Sequence, residues 1–230
     1  MKTTIETVNA EDNPSVEYLL DILRTDGIFI LENYYSKEKI DVLNEEFDKV
    51  FKEHEDAIDI LDKEDCSKDQ RIFWSNQYSQ PIDDIFANDP LLVNIATSYA
   101  GRSPNLNTLI NYLEYSDTEV RNSGAGWHRD NHHCQFKTML YLSDVTKDNG
   151  NFQWITNSSR RHIGYPKPRT ESYNTRYHEE VIEEILKHPL CELIDVTGKP
   201  GTVICADTTY VHRGNIIKSG SRRAMTQYYF

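Results

Sequence analysis

Basic residues are in short supply. Against 37 aspartates and glutamates stand only 25 lysines and arginines, a formal charge of −12 over 230 residues. Non-specific grip on nucleic acid or an anionic membrane needs a basic face, so neither is the expected partner. Cysteine is scarce too: Cys66, Cys134, Cys191 and Cys205 form no CxxC pair and no framework spacing. A chain of this length does not need staples, so reduced thiols in a cytoplasmic compartment are expected. No run approaches the ~20 apolar residues that span a bilayer, and Met1 to Thr7 lacks the apolar stretch of a secretory leader. Internal repeats and low-complexity tracts are missing as well. With 38% hydrophobic residues and 14 tyrosines, the composition fits one globular domain over 1–230, with a core able to enclose a large cavity.

Periodicity divides that domain. Val16, Leu19, Leu20 and Leu23 predict a helix over Pro14 to Arg24, with Asn13 as N-cap, Pro14 at the first position and Gly27 ending it. Ile28-Phe29-Ile30-Leu31 reads as a buried strand. Ser36 opens a second helix carrying Ile40, Leu43, Phe47, Val50 and Phe51 on one stripe. The charged segment His54 to Gln70 reads as a loop or lid. A third helix runs from Asp89-Pro90 to Gly101. From there the period shortens. Strand-like runs follow at Leu106 to Tyr115, Gly126 to Asn131, Phe136 to Leu142, Phe152 to Ile155, Cys191 to Val196, Gly201 to Ala206 and Arg222 to Phe230. Tyr177 to His188 interrupts them as a helix. The expectation is an α+β, mainly β protein: a mostly helical support region over 1–101 and a barrel or sandwich over 102–230.

The chemistry centres on Gly126-Trp127-His128-Arg129-Asp130-Asn131. In an extended strand His128 and Asp130 point to the same side. Alone, such a pair is commonplace, and a strand histidine is more often a hydrogen-bonded structural residue than a ligand. Three neighbours tip the balance. Trp127 and the apolar strands aim the pair at an interior. His212, in Thr209-Tyr210-Val211-His212-Arg213-Gly214-Asn215, adds a second imidazole. Arg222 then opens the final strand. Two histidines and one carboxylate are the facial triad that holds a non-haem Fe(II) with one octahedral face open. A guanidinium binds a carboxylate through two parallel hydrogen bonds and keeps its charge, so the far end of a dicarboxylate co-substrate such as 2-oxoglutarate would suit it. Strand alternation lets only one of Arg222 and Arg223 face inward.

Other candidates read more blandly. His132, His133 and Cys134 lack the closed tetrahedral spacing of a structural zinc site and read as pocket or surface residues. Arg160, Arg161, His162, Lys167 and Arg169 form a basic patch whose plain reading is a solvated loop. Its sharper reading is a clamp for an anionic substrate, a role open to Lys137 as well.

These residues carry a family likeness. From Pro14 to the C-terminus the chain resembles the phytanoyl-CoA dioxygenase family of Fe(II)- and 2-oxoglutarate-dependent oxygenases. The likeness rests on Trp127-His128-Arg129-Asp130, on Tyr141-Leu142-Ser143-Asp144-Val145 with Asn149-Gly150, on His212-Arg213-Gly214-Asn215 and on Arg222-Arg223-Ala224. It implies a double-stranded β-helix (a cupin-like jelly-roll) with N-terminal helices packed on it, iron on His128, Asp130 and His212, 2-oxoglutarate and O2 as co-substrates, and Arg222 on the distal carboxylate. Ile110-Asn111-Tyr112 looks like the segment that lends an asparagine to the co-substrate. Two features depart from the pattern. Asn157-Ser158-Ser159-Arg160-Arg161-His162 replaces a Pro-Gly-Ser-His segment, and the shortened spacing from His212 to Asn215 leaves Arg222 and Arg223 as alternatives, with the Arg-Arg-Ala order favouring Arg222. Retention of Asp130, where some relatives carry a small residue to admit halide, implies hydroxylation or a related oxidation of a small molecule rather than halogenation. Segments 54–70 and 157–176 would cover the site. The rival is a cupin-like jelly-roll that binds metal for sensing or structure; such a protein has no use for the arginine.

Overall fold

The N-terminal helices start where a small polar side chain can cap them. Helix α1, Val16–Asp26, begins at Ser15, whose hydroxyl accepts from the Tyr18 amide, and ends at Gly27 in the left-handed conformation. Asn13, the cap expected from sequence, instead closes a preceding 3-10 turn, because its own φ of 50° is left-handed. Helix α2, Lys37–Glu53, begins at Ser36. The helix Pro90–Ala100 begins at Asp89, which accepts from two backbone amides and from the Tyr34 and Tyr35 hydroxyls. The computed structural model describes residues 5–60, 69–116, 126–131, 133–164 and 175–230. Among these, no helix is long and apolar enough to cross a membrane.

Eleven strands follow chain order: β1 Glu6–Asn9, β2 Ile28–Glu32, β3 Asp59–Ile60, β4 Asp69–Ile72, β5 Leu106–Glu114, β6 Phe136–Tyr141, β7 Phe152–Ile155, β8 Leu193–Val196, β9 Val203–Asp207, β10 His212–Gly214 and β11 Ser221–Tyr229. Eight of them form a large sheet in the order β1-β2-β9-β6-β11-β5-β4-β3, and three form a small one, β10-β7-β8. Only the β1–β2 pair is parallel. The architecture is therefore the α+β jelly-roll expected, an open two-sheet sandwich with helices on one outer face. Four strands of the large sheet come from the first hundred residues. Segment 54–70, read from sequence as a loop, holds β3 and the start of β4; its residues 61–68 lie outside the described chain.

Alternation along each strand sorts side chains into two layers. From β9, Val203 and Cys205 join a core shared with α1, α2 and Pro90–Ala100, while Ile204 and Ala206 turn to the small sheet. Both faces are covered, so β9 is buried throughout. From β11, Met225 and Tyr229 meet the helices, and Ala224 faces Trp154 and Phe152 across the gap between the sheets. A third cluster packs the helix Glu179–Leu186, shorter than the expected Tyr177 to His188, against Trp127 and Ile155.

Gly27 connects α1 to this sandwich. Its φ is 80°, and a Cβ there would sit 2.4 Å from the Tyr210 ring. That ring stacks on Trp154 with centroids 4.9 Å apart. Gly27→Ala combines a left-handed alanine with a clash against a packed aromatic, so we expect a loss of about 2–4 kcal/mol in urea denaturation. A variant within 0.5 kcal/mol of wild type, by the ordinary spread of harmless substitutions, would show that Tyr210 yields freely.

Candidate active site

His128, Asp130 and His212 converge. One donor atom from each lies within 4.8 Å of the other two. The segment Gly126 to Asn131 is not the strand expected. It makes an isolated bridge in which the His128 amide donates to the His212 carbonyl at 3.0 Å and the His212 amide returns the bond at 2.9 Å. Asp130 is fixed by its amide bond to the Thr208 carbonyl at 2.9 Å. Between the two, Arg129 turns into the protein. It is 1% exposed, donates to the Ser158 and Gly164 carbonyls and lies against the Tyr177 ring. The side-chain convergence expected from strand geometry is thus achieved by a short bridge and a buried arginine.

The donor set has a definite chemical character. His128 Nδ1 lies 2.7 Å from the Gly126 carbonyl, and His212 Nδ1 lies 2.8 Å from the Tyr210 carbonyl. A carbonyl only accepts, so each Nδ1 donates to the carbonyl behind it and each ring turns its Nε2 toward the cluster. Those Nε2 atoms stand 3.7 and 3.5 Å from the Asp130 carboxylate. Three electron-rich groups facing one another in a buried corner fit a bound cation. Burial and the nearby His212 push His128 down to about 3, keeping it neutral. Burial alone would raise Asp130, but His212 and the Lys137 ammonium hold it well below the usual carboxylate range. Lys137 Nζ is 2.6 Å from Asp130 Oδ2, an ion pair that lies off the hydrogen-bonding direction.

The cluster opens onto a cavity of about 260 Å³ between the sheets. Arg222 lines it from β11. Its guanidinium donates to the Gly150 carbonyl and, at 2.6 Å, to Asn111 Oδ1, while its Nε has no hydrogen-bond partner. Among the described residues no carboxylate lies within ion-pair distance of it. Gly150 reaches this position through a φ of 85°, with the Leu113 side chain filling the space a Cβ would need. Arg223 points the other way, as alternation requires. It bonds Asn44 and Asp48 of α2 and covers the Phe47 ring at 4.6 Å. Asn111 lines the cavity, yet both ends of its amide are engaged: Oδ1 accepts from Arg222, and Nδ2 donates to Asp69 at 2.7 Å.

Asp69 is the residue that sequence reasoning missed. It is fully buried on β4, held by Arg71 at 3.1 and 2.9 Å, and it completes a chain Arg71–Asp69–Asn111–Arg222. Its signal was the alternation of Asp69 and Arg71 with Gln70 and Ile72, masked by the charged segment before it. Asp69→Ala takes the carboxylate from the half-buried Arg71 guanidinium and leaves the Asn111 amide only its longer bond to the Gln70 carbonyl, so a loss of about 1–3 kcal/mol in stability is expected by urea denaturation. Adding Arg71→Ala should recover part of it; strict additivity of the two losses would break the proposed coupling.

Other candidates lie elsewhere. His133 and Cys134 are exposed, and His132, Lys167 and Arg169 fall outside the described residues, as do the side chains of Arg160 and Arg161. His162 is exposed and bonds Ser159 at 2.7 Å. Lys137, by contrast, is inside the cavity.

Sandwich and cluster together define a jelly-roll protein with a two-histidine, one-carboxylate centre, its cavity bounded by an arginine without an acid partner. Residues 23–225 match the family model described as phytanoyl-CoA dioxygenase (PhyH), and the chain belongs to that family. No curated protein sequence matches it. Among solved structures it is similar to the non-heme alpha ketoglutarate dependent epimerase SnoN from nogalamycin biosynthesis, at 15% identity and TM-score 0.72, covering 94% of this chain and 82% of that one. It is also similar to EctD from S. alaskensis with bound Fe, at 20% identity and TM-score 0.66, covering 92% and 75%. HygX from Streptomyces hygroscopicus, with nickel, 2-oxoglutarate and hygromycin B bound, shares 15% identity at TM-score 0.65, covering 91% and 85%. At these identities the likeness is one of fold.

Proposed function

We propose that the protein is a non-haem Fe(II)- and 2-oxoglutarate-dependent dioxygenase that hydroxylates a small molecule. His128, Asp130 and His212 hold the iron, and Arg222 takes the distal carboxylate of 2-oxoglutarate. The observation that carries the reading is the pairing of two unlike features in one cavity: three donor side chains around a point, and a buried guanidinium with no acid of its own among the described residues. Family membership and the solved relatives that hold iron, nickel or 2-oxoglutarate support it.

When bound, the iron and 2-oxoglutarate supply the oxidising power, coupling decarboxylation to succinate and CO2 with O2-dependent oxidation of a substrate C–H bond. The chain's own residues bind and orient. Asp130 contributes charge and the two Nε2 atoms contribute nitrogen donors, each aimed by a backbone carbonyl behind the ring. Asn111 steers Arg222, with Asp69 behind it; we assign Asn111 to that positioning role. Leu109, Met139, Ala224 and Phe152 line the cavity between the charged groups, keeping water away from the reacting bond. Arg223 is not part of the proposed site, because it serves α2 from the other face of β11.

The test is anaerobic. Fe(II) with 2-oxoglutarate should give a visible metal-to-ligand charge-transfer band, and air with a suitable substrate should release succinate above the uncoupled background. A protein that binds iron but neither forms the band nor changes on adding 2-oxoglutarate is the metal-binding jelly-roll instead.

A further inference from the structure

The charge inside the cavity runs against the charge of the chain. On a protein of net −12, the cavity is lined by Arg71, Lys137, Arg176 and Arg222, with Asp130 as its only acid among the described residues. Arg71 is spoken for by Asp69. Arg222 lies toward one end of β11, opposite Leu113, and Lys137 pairs with Tyr228 toward the other. Six residues of strand separate those ends, roughly 20 Å at ~3.3 Å per residue. A five-carbon dicarboxylate held on Arg222 would approach the metal cluster from that end, while Lys137 meets the cluster from the other.

Lys137 is 7% exposed. Its Nζ sits 4.1 Å from the centroid of the Tyr228 ring, and the acid it meets is Asp130. On the reading proposed above, Asp130 gives its charge to a divalent ion. Lys137 is then an ammonium buried beside a dication, with its one counter-charge shared away. An uncompensated buried charge is costly, and the economical remedy is an anion brought by the ligand. Arg176, bridged through its backbone to His128, lines the same cavity.

We propose that the compound oxidised here carries an anionic group, a carboxylate or a phosphate, seated on Lys137 beside Tyr228. Lys137 is a specificity residue, and its charge selects the substrate class. This inference rests on the oxygenase reading but is tested separately from it.

The experiment uses the full chain loaded anaerobically with Fe(II), or with Ni(II), and saturating 2-oxoglutarate. Matched pairs are titrated in: N-acyl amino acids and their methyl esters, and sugar phosphates and the parent sugars. Binding is read by calorimetry as well as by perturbation of the charge-transfer band, so charge preference is scored whether or not the band forms. The expected result is at least tenfold tighter binding for the anionic members of one series, and the preferred series identifies carboxylate or phosphate. Lys137→Met should cut that preference to within twofold, and Lys137→Arg should restore it. Thermal melting of both variants separates loss of charge from loss of fold. Neutral members that bind as well as their anions overturn the proposal, as does a panel in which no anion binds. So does a Lys137→Met protein that weakens 2-oxoglutarate while keeping the acid-over-ester ratio, since Lys137 would then serve the co-substrate. A missing band with intact charge preference would overturn the oxygenase reading instead.

Discussion

Asp130→Ala is expected to remove iron binding, by at least ~100-fold in affinity, and with it the charge-transfer band and all succinate release. The magnitude follows from the lesser case: losing even a supporting residue behind a metal ligand costs 10–100-fold, and Asp130 is the one charged donor in the cluster. The imidazoles at 128 and 212 cannot replace it, because a dication in a buried corner needs a counter-charge as well as lone pairs. Removal also strands the Lys137 ammonium that now sits 2.6 Å from the carboxylate. A like-signed cation then occupies the space next to the vacant coordination position, deepening the loss. His128→Ala and His212→Ala should behave similarly without that extra repulsion. Equilibrium dialysis of Fe(II) measures the effect directly. Iron retained by Asp130→Ala at near wild-type affinity would show that the metal sits elsewhere.

Arg222→Met is expected to weaken 2-oxoglutarate by about 3 kcal/mol, roughly 100-fold or more, while leaving iron affinity nearly unchanged. Truncating one partner of a buried, hydrogen-bonded charge pair typically costs 2–5 kcal/mol. Among the described residues Arg222 donates its hydrogen bonds to the Gly150 carbonyl and the Asn111 amide oxygen, so the fold depends on it less than a ligand carboxylate would. Arg223→Met supplies the contrast. Its contacts are Asn44, Asp48 and the Phe47 ring, so it should cost about 1 kcal/mol of stability, in the range of surface ion pairs and a cation–π contact, and leave 2-oxoglutarate binding intact. Titration of the band with 2-oxoglutarate reads both. If Arg223→Met is the variant that loses the co-substrate, the assignment is reversed.

Much of this site is legible in the amino-acid sequence. His128, Asp130, His212 and Arg222 can be named from it because a metal centre needs particular side chains in short, recognisable groupings. The turns around them, such as Asn149-Gly150, carry backbone requirements that only a few residues meet. The choice between Arg222 and Arg223 is legible only as an alternation. Which face of β11 meets the helices depends on β6 and β5 flanking it, and pairing between distant strands is not written in any one segment. Asp69 stays hidden for the same reason: a carboxylate at the end of a charged stretch looks solvated until Arg71 and Asn111 are seen around it. The helix cap shifts from Asn13 to Ser15 because both residue types cap well and the local φ decides between them. Gly126 to Asn131 reads as a strand because its alternation is strand-like. Beside buried Arg129, what forms is two isolated rungs, one from His128 to Arg176 and one joining the two histidines.

That rung has a consequence for how the protein is assembled. Since each histidine's amide is tied to the other's carbonyl, the two imidazoles are brought side by side by the backbone, their centroids 4.4 Å apart. The coordination pocket is thus finished when the chain is finished. The order of events is the reverse of that in small zinc domains, which stay unfolded until the ion arrives. On the proposed reading the ion would be a late passenger, so a chelator should empty the molecule without dismantling it, and a different divalent ion should take the seat and find the same geometry waiting.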